Sequence, residues 1–217
     1  MTLNIEAARH AMIEQQIRPW DVTDMRVLGA LAAVPRERFV PELHKALAFA
    51  DTALPIGHGE RMLKPVLEGR LLQALQLQPN DEALVIGTGS GFITACVATL
   101  ARAVTSVDRH AEFLDAAKAK LAALDLNNVR YEQAEALAFR PGQQFDAILV
   151  TGAVAEVPEA FGHWLRDGGR LVLVRGLSPV QEAVRITRER DAFRTDSIFE
   201  TDIPYLAGAE PVEKFAL

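Results

Sequence analysis

Two short stretches of the chain carry residue types that could do chemistry. The first is PIGHGERMLKP, Pro55 to Pro65. Two glycines flank His58, then Glu60, Arg61 and Lys64 bring one acid and two bases, and a proline closes the stretch. Such a mix suits an anionic group. An arginine can grip a carboxylate through two parallel N–H bonds, and a lysine can hold it as a point charge. The bland alternative is a surface turn before a helix, with Glu60 paired to Arg61 or Lys64 in solvent. The second stretch is Gly87-Thr88-Gly89-Ser90-Gly91, between the apolar run ALVI and the run FITACVATLA. Glycines there permit a tight turn and let a ligand approach the backbone. Amides at the start of the next helix then face that ligand.

Glycine spacing separates two cofactor classes. A dinucleotide fingerprint, G-x-G-x-x-G, needs glycine at position 92, where Phe92 stands. The pattern here, G-x-G-x-G, is that of S-adenosylmethionine (SAM) methyltransferases. The next strand ends in Val107-Asp108, and an acid there can accept hydrogen bonds from both ribose hydroxyls. One strand further on, Glu135 lies just past the strand end, where an adenine amino group would sit. All these residues fall at C-terminal strand ends, where open α/β sheets bind ligands. The candidate cofactor contacts are His58, Gly59, Gly87, Thr88, Gly89, Ser90, Gly91, Asp108 and Glu135, with the adjoining Arg109 and Ala136. No metal is expected, because His10, His44, His110 and His163 show no ligand spacing with one another. Cys96 reads as a small core residue, Trp20 and Trp164 as packing residues, and no G-x-S-x-G nucleophile motif occurs.

The elements that must position these loops follow from periodicity. Ile5, Ala8, Met12 and Ile13 give residues 5–17 a helical spacing that Arg18-Pro19 ends. Thr23 is the expected N-cap of a second helix reaching Val34. A short helix is expected over ELHKALAF, and a stronger one from Pro65 to Leu77, with proline in its first turn. Residues 1–80 thus read as a mostly helical extension carrying the first loop. From Ala83 the pattern alternates strand and helix: ALVIG, GFITACVATLA, AVTSVD, AEFLDAAKAKLAAL, VRYEQ, FDAILVTG, a short helix near 158–165, then GGRLVLV. That alternation predicts a Rossmann-like α/β core with a mostly parallel sheet over 81–217. EAVRITRER and FRTDSIFETDI, joined at Arg190-Asp191, read as a C-terminal antiparallel hairpin at its edge.

The chain has 217 residues, 49% of them hydrophobic, which is enough to bury the core of one domain. Its formal net charge is −6 and no run of Lys or Arg stands out, so neither nucleic acid nor membrane is an expected partner. With Cys96 as the one cysteine, no intrachain disulfide can form. No apolar run approaches the roughly 20 residues of a membrane helix, and a cytoplasmic protein is expected.

These stretches together resemble the protein-L-isoaspartate O-methyltransferases. The resemblance covers nearly the whole chain. It is carried by MIEQQIRPWDVTDMRVLGALAAVPRERFVPE, LAFADTALPIGHG, IGTGSGF, FDAILVTGAVAEVP and LRDGGRLV. It implies SAM as methyl donor, the carboxylate of isoaspartyl residues in damaged proteins as acceptor, and a role in cytoplasmic protein repair. The family's loop continues from glycine as Gln-Thr-Ile-Ser-x-Pro, its serine being the residue usually assigned to catalysis. Here the matching stretch is Glu60-Arg61-Met62-Leu63-Lys64-Pro65, so Leu63 stands for the serine and Arg61 for the threonine. Val85 stands where the family has an acid two residues before the first glycine. No catalytic residue is therefore assigned, and Arg61, Leu63 and Lys64 are the acceptor-loop candidates. Two other readings follow from these departures: a methyltransferase with a different acceptor, or a SAM-binding relative without catalysis.

Overall fold

The runs ALVI, AVTSV and FDAILV lack the alternation of a half-exposed strand, so both faces of the sheet they form must be covered. The computed structural model describes residues 4–212. In it these runs are β3 (Glu82–Ile86), β4 (Ala103–Asp108) and β6 (Phe145–Val154). They join β5 (Val129–Gln133), β7 (Leu165–Leu177), β8 (Val180–Glu189) and β9 (Ala192–Thr201) in a seven-stranded sheet of order β5-β4-β3-β6-β7-β8-β9. Pairing is parallel from β5 to β7 and antiparallel through β8 and β9. The expected Rossmann-like sheet and edge hairpin are both present, the hairpin turning at Arg190-Asp191. The chain fills one side of β3 first and then crosses to the other, which opens a crevice at the strand ends beside β3.

Alternate residues of β3 serve different cores. Ala83 and Val85 pack with the N-terminal helices and with α4 (Phe92–Leu100) and α5 (Ala111–Ala122), while Leu84 and Ile86 pack with Phe161, Trp164 and Phe145. Cys96 is fully buried in the first cluster, as its helix position implies. Of the two tryptophans, only Trp164 packs, against Phe161 and Phe139. Trp20 lies in the tight turn Arg18–Trp20 and is 58% exposed, so the expectation that it packs is wrong.

The N-terminal part departs from the sequence reading in four places. Residues 5–17 do not form one regular helix: α1 (Ile5–Ala11) widens into a π-helical segment, Met12–Ile17, whose Met12, Ile13 and Ile17 are buried. The N-cap of α2 (Met25–Ala33) is Asp24, whose carboxylate accepts from Arg26 N, and not Thr23. The amides of Thr23 and Asp24 instead donate to Gln73 Oε1 of α3 (Pro65–Leu75), at 2.6 and 2.9 Å. That helix stops at Leu75, because Gln76 turns left-handed at φ 50°. Finally, the expected glycine loop is a two-stranded hairpin, β1 (Leu54–Gly57) with β2 (Glu60–Met62). Gly57, His58 and Gly59 take φ of 103°, 52° and 79° in succession, and the glycines on either side of His58 make so tight a turn possible.

One side chain ties these N-terminal pieces together. Arg36 is fully buried. Its Nε donates to Ala48 O at 2.9 Å and its Nη2 to Leu63 O at 2.8 Å, while Nη1 pairs with Glu68 of α3. Its guanidinium also lies over the Phe92 ring, 4.8 Å from the centroid. It therefore fixes the start of the hairpin segment, its exit and the following helix against the head of α4. Removing it leaves a buried acid without its cation and two carbonyls without donors. Arg36→Leu is expected to cost about 3–5 kcal/mol of folding stability, read as a lower urea midpoint. Glu68→Gln is expected to cost less, since Arg36 keeps both carbonyls, an amide oxygen and the Phe92 face.

Candidate active site

The crevice beside β3 is a cavity with about 930 Å³ of empty space, counting its open mouth. Its floor is the β3–α4 turn. Gly87 N and Thr88 N both point at Val107 O, at 2.8 and 3.3 Å, which binds the turn to the end of β4. Beneath it, Ser106 Oγ shares hydrogen bonds with Thr88 Oγ1 at 2.7 Å and Thr94 Oγ1 at 3.0 Å. Gly87 has φ 89°, and a Cβ there would collide with Thr151 Oγ1, which donates to Gly87 O at 2.8 Å. The turn is thus held open at Gly87, where a side chain would fill it.

Asp108 sits at the cavity edge, mostly buried, with both carboxylate oxygens engaged by backbone. Gly89 N donates to Oδ2 and His110 N to Oδ1, each at 2.9 Å. Each oxygen keeps a second lone pair for a ligand hydroxyl. Across the mouth, Arg109 Nε lies 3.3 Å from Glu135 Oε1. Ile86, Val107, Ala136 and Leu206 supply apolar wall. Glycine cradle, carboxylate and apolar slot fit a nucleoside-bearing group.

The hairpin forms the opposite wall. Glu60, Arg61, Met62 and Leu63 line the cavity, and Leu54 and Met62 anchor the strands in the core. The tip reaches over to the cofactor side. The His58 ring stacks on His110 at 4.2 Å and meets Phe113 edge-on at 5.3 Å. Glu112 lies beside this pair, its Oε2 3.9 Å from His58 Nε2.

Comparison with known proteins decides the family. A family model described as Protein-L-isoaspartate(D-aspartate) O-methyltransferase (PCMT) matches residues 7–205. The chain belongs to the protein-L-isoaspartate O-methyltransferase family. It is 38% identical to "Protein-L-isoaspartate O-methyltransferase 1" of Rhodopseudomonas palustris, over 94% of this chain and 84% of the relative. It is 40% identical to the Methylorubrum populi protein named "Protein-L-isoaspartate O-methyltransferase", over 84% of this chain and 86% of that one. In fold it is similar to a crystal structure from Plasmodium falciparum described as a protein-L-isoaspartate O-methyltransferase in complex with S-adenosyl-L-homocysteine. The TM-score is 0.79 at 19% identity, covering 94% of this chain and 99% of that one.

Within this family member, the residues singled out in the sequence divide by position. Gly87, Thr88, Gly89, Ser90, Asp108, Arg109, Glu135, Ala136, Arg61 and Leu63 line one cavity. Gly91 lies behind it as the N-cap of α4, where a Cβ would press on Ala117. His58 and Gly59 form the hairpin tip beside the mouth, and Lys64 is exposed outside it. Val85 points into the core, away from the cavity. Sequence reasoning missed the far wall, made by Thr151, Gly152 and the segment Pro204–Ala207. That segment pairs with the end of β6 through Ala153 N to Pro204 O, 2.9 Å, and Leu206 N to Ala153 O, 2.7 Å. Gly152 is the trace it leaves in the sequence, since a Cβ there would lie 2.9 Å from Leu206 N.

It also missed Glu68, which lines the cavity together with Met62, Leu63 and Ile93. Burial pushes its carboxyl up to about 7, against the pull of Arg36. The signal was available: an acid at 68 shares a helical stripe with Pro65, Leu71, Leu72 and Leu75, which face the core.

Asp108→Ala removes a buried acceptor and frees two loop amides at once. Affinity for SAM is expected to fall by about ten- to a hundredfold, a loss of roughly 1–3 kcal/mol. Isothermal calorimetry of wild type and variant checks this, and equal affinities would remove Asp108 from the cofactor site.

Proposed function

We propose that the protein is a SAM-dependent O-methyltransferase that esterifies the free α-carboxylate of isoaspartyl residues in damaged proteins, a repair activity in the cytoplasm. The observation that carries this reading is the junction of two walls in one cavity: a glycine cradle with Asp108 on one side, and the family's acceptor hairpin on the other. The bound cofactor supplies an electrophilic methyl on a sulfonium. The residues of this chain position the acceptor for in-line displacement.

The acceptor needs no general base. A carboxylate has a pKa of about 4 and is ionised at neutral pH. Positioning and exclusion of water remain. Ile56, Met62, Leu63 and Ile93 present apolar surface to the acceptor end and limit the water that reaches it. Arg61 lines the same cavity from β2 and is exposed enough to swing onto an incoming carboxylate, with the two-bond grip of a guanidinium. Leu63 offers no hydroxyl, and its carbonyl is already committed to Arg36.

Transfer of radiolabelled methyl to an isoaspartyl peptide, with the aspartyl peptide as control, tests the reading directly. Leu63→Ser is expected to raise kcat about tenfold with KM little changed, because an orienting bond made best in the transition state acts on kcat. Arg61→Ala is expected to lower kcat/KM by at least about tenfold. An inert wild type and an inert Leu63→Ser, both binding SAM normally, would assign the site to a different acceptor.

A further inference from the structure

The acceptor end of the cavity holds an acid that the reaction as described does not use. Glu68 is almost fully buried, with 3% of its side chain exposed, yet it lines the cavity with Leu63, Met62 and Ile93. Its Oε2 takes Arg36 Nη1. Among the described residues no hydrogen bond engages Oε1. The family serine's place is taken by Leu63, five positions earlier on the same segment, where it gives no donor. Among the described residues, Met62, Leu63 and Ile93 thus bring no hydroxyl beside Glu68, and one of its carboxyl oxygens takes no protein hydrogen bond.

We propose that Glu68 is an acceptor-binding residue that works in its protonated form: its Oε1–H donates to the substrate carboxylate, in the role a hydroxyl would fill. The proposal rests on the isoaspartyl reading given above. Two carboxylates within contact distance in a cavity of low polarity repel strongly, so they share a proton when both occupy the site. The substrate carboxylate arrives ionised, and Glu68 takes up the proton from solvent. The bond formed is a hydrogen bond. No covalent bond is made or broken in the step, and the substrate oxygen aimed at the methyl group keeps its lone pair.

The groups that face Glu68 permit this. Arg36 holds Oε2 from the Arg36–Arg38 turn and stays cationic on two carbonyls and Glu68, so the protonated acid does not leave it unsolvated. Asp51, whose Oδ1 accepts from Val66 N at 3.0 Å, adds a negative field that favours the proton. Cys96 on α4 is kept a neutral thiol by burial. Glu60 and Arg61 line the cavity from β2 with opposite charges. Burial is the largest influence on Glu68 and already sets its carboxyl at about 7. At pH 6 the acid is mostly protonated and binding needs no proton. At pH 8 it is mostly ionised, and binding must recruit one.

The test is calorimetric titration of isoaspartyl peptide into wild-type protein saturated with S-adenosylhomocysteine, at pH 6 and pH 8, in buffers of different ionisation enthalpy. Wild type is expected to take up close to one proton per peptide at pH 8 and little at pH 6. Peptide affinity should fall by up to about tenfold per pH unit above 7. In Glu68→Gln, whose amide donates at every pH, both the uptake and the fall should vanish. Tight binding at pH 8 without proton uptake by wild type overturns the Glu68 proposal and leaves the methyltransferase reading standing. So does the same uptake in wild type and Glu68→Gln. A peptide that does not bind at either pH overturns the isoaspartyl reading itself, and this proposal with it.

Discussion

The guanidinium of Arg36 is the constraint on which the hairpin side of the cavity depends. It is fully buried, and a buried arginine is tolerated only where its donors and its charge are answered. Here the answers come from three separate places in the chain: a carbonyl before the hairpin, a carbonyl after it and a carboxylate on the next helix. Meeting the needs of one cation therefore closes the hairpin on the sheet domain. A hairpin of four and three residues cannot hold its own shape in water. Its position is borrowed from Arg36, from the buried Leu54 and Met62, and from the contact of His58 with His110 and Phe113.

The glycine-turn side is held by the opposite means. Its turn depends on backbone bonds and on the absence of side chains. Gly87 must be bare because Thr151 crosses above it, and Gly152 must be bare because the Pro204–Ala207 segment crosses it. Three strands on in sequence but beside β3 in the sheet, the same end of β6 thus fixes both the floor and the far wall. His58 then spans from the hairpin to the first residues of α5, two positions beyond Asp108. The two sides meet at the mouth of the cavity, where the hairpin tip packs against His110, two positions beyond Asp108.

What could be read in the sequence follows the range of the interactions. Parallel strands with both faces buried announce themselves as apolar runs, and β3, β4 and β6 lie close to where those runs predict. A glycine turn followed by an acid at the next strand end is likewise local, so Gly87 to Gly91 and Asp108 were legible. The π-helical widening at Met12–Ile17 was not, because it depends on α3 packing against it: a Cβ on Gly69 would lie 2.8 Å from Ile17 Cγ2. Nor was the N-cap at Asp24, since Gln73, fifty positions away by the hydrogen bond it accepts, takes the amides of Thr23 and Asp24. The far wall of the cavity was invisible for the same reason, being a tail segment laid across β6. His58 and His110 carry no spacing that predicts contact, yet their rings stack.

The position of Leu63 gains meaning only with Glu68 beside it. Taken alone, the exchange of a hydroxyl for an isobutyl group removes a donor and makes the acceptor wall drier. A drier wall raises the cost of any ionised group nearby, which favours a neutral Glu68. Arg36 opposes that shift by attraction, but the burial that both residues share outweighs it at Glu68. The cation can stay charged because its other donors rest on carbonyls and its face on Phe92. The wall is then neither apolar nor anionic when a carboxylate enters. On the proposal above it offers Arg36 at depth, a protonated Glu68 and the exposed Arg61 at the rim. In the proposed reading, selectivity for an anionic acceptor would rest on that order of charges and not on a hydroxyl at position 63.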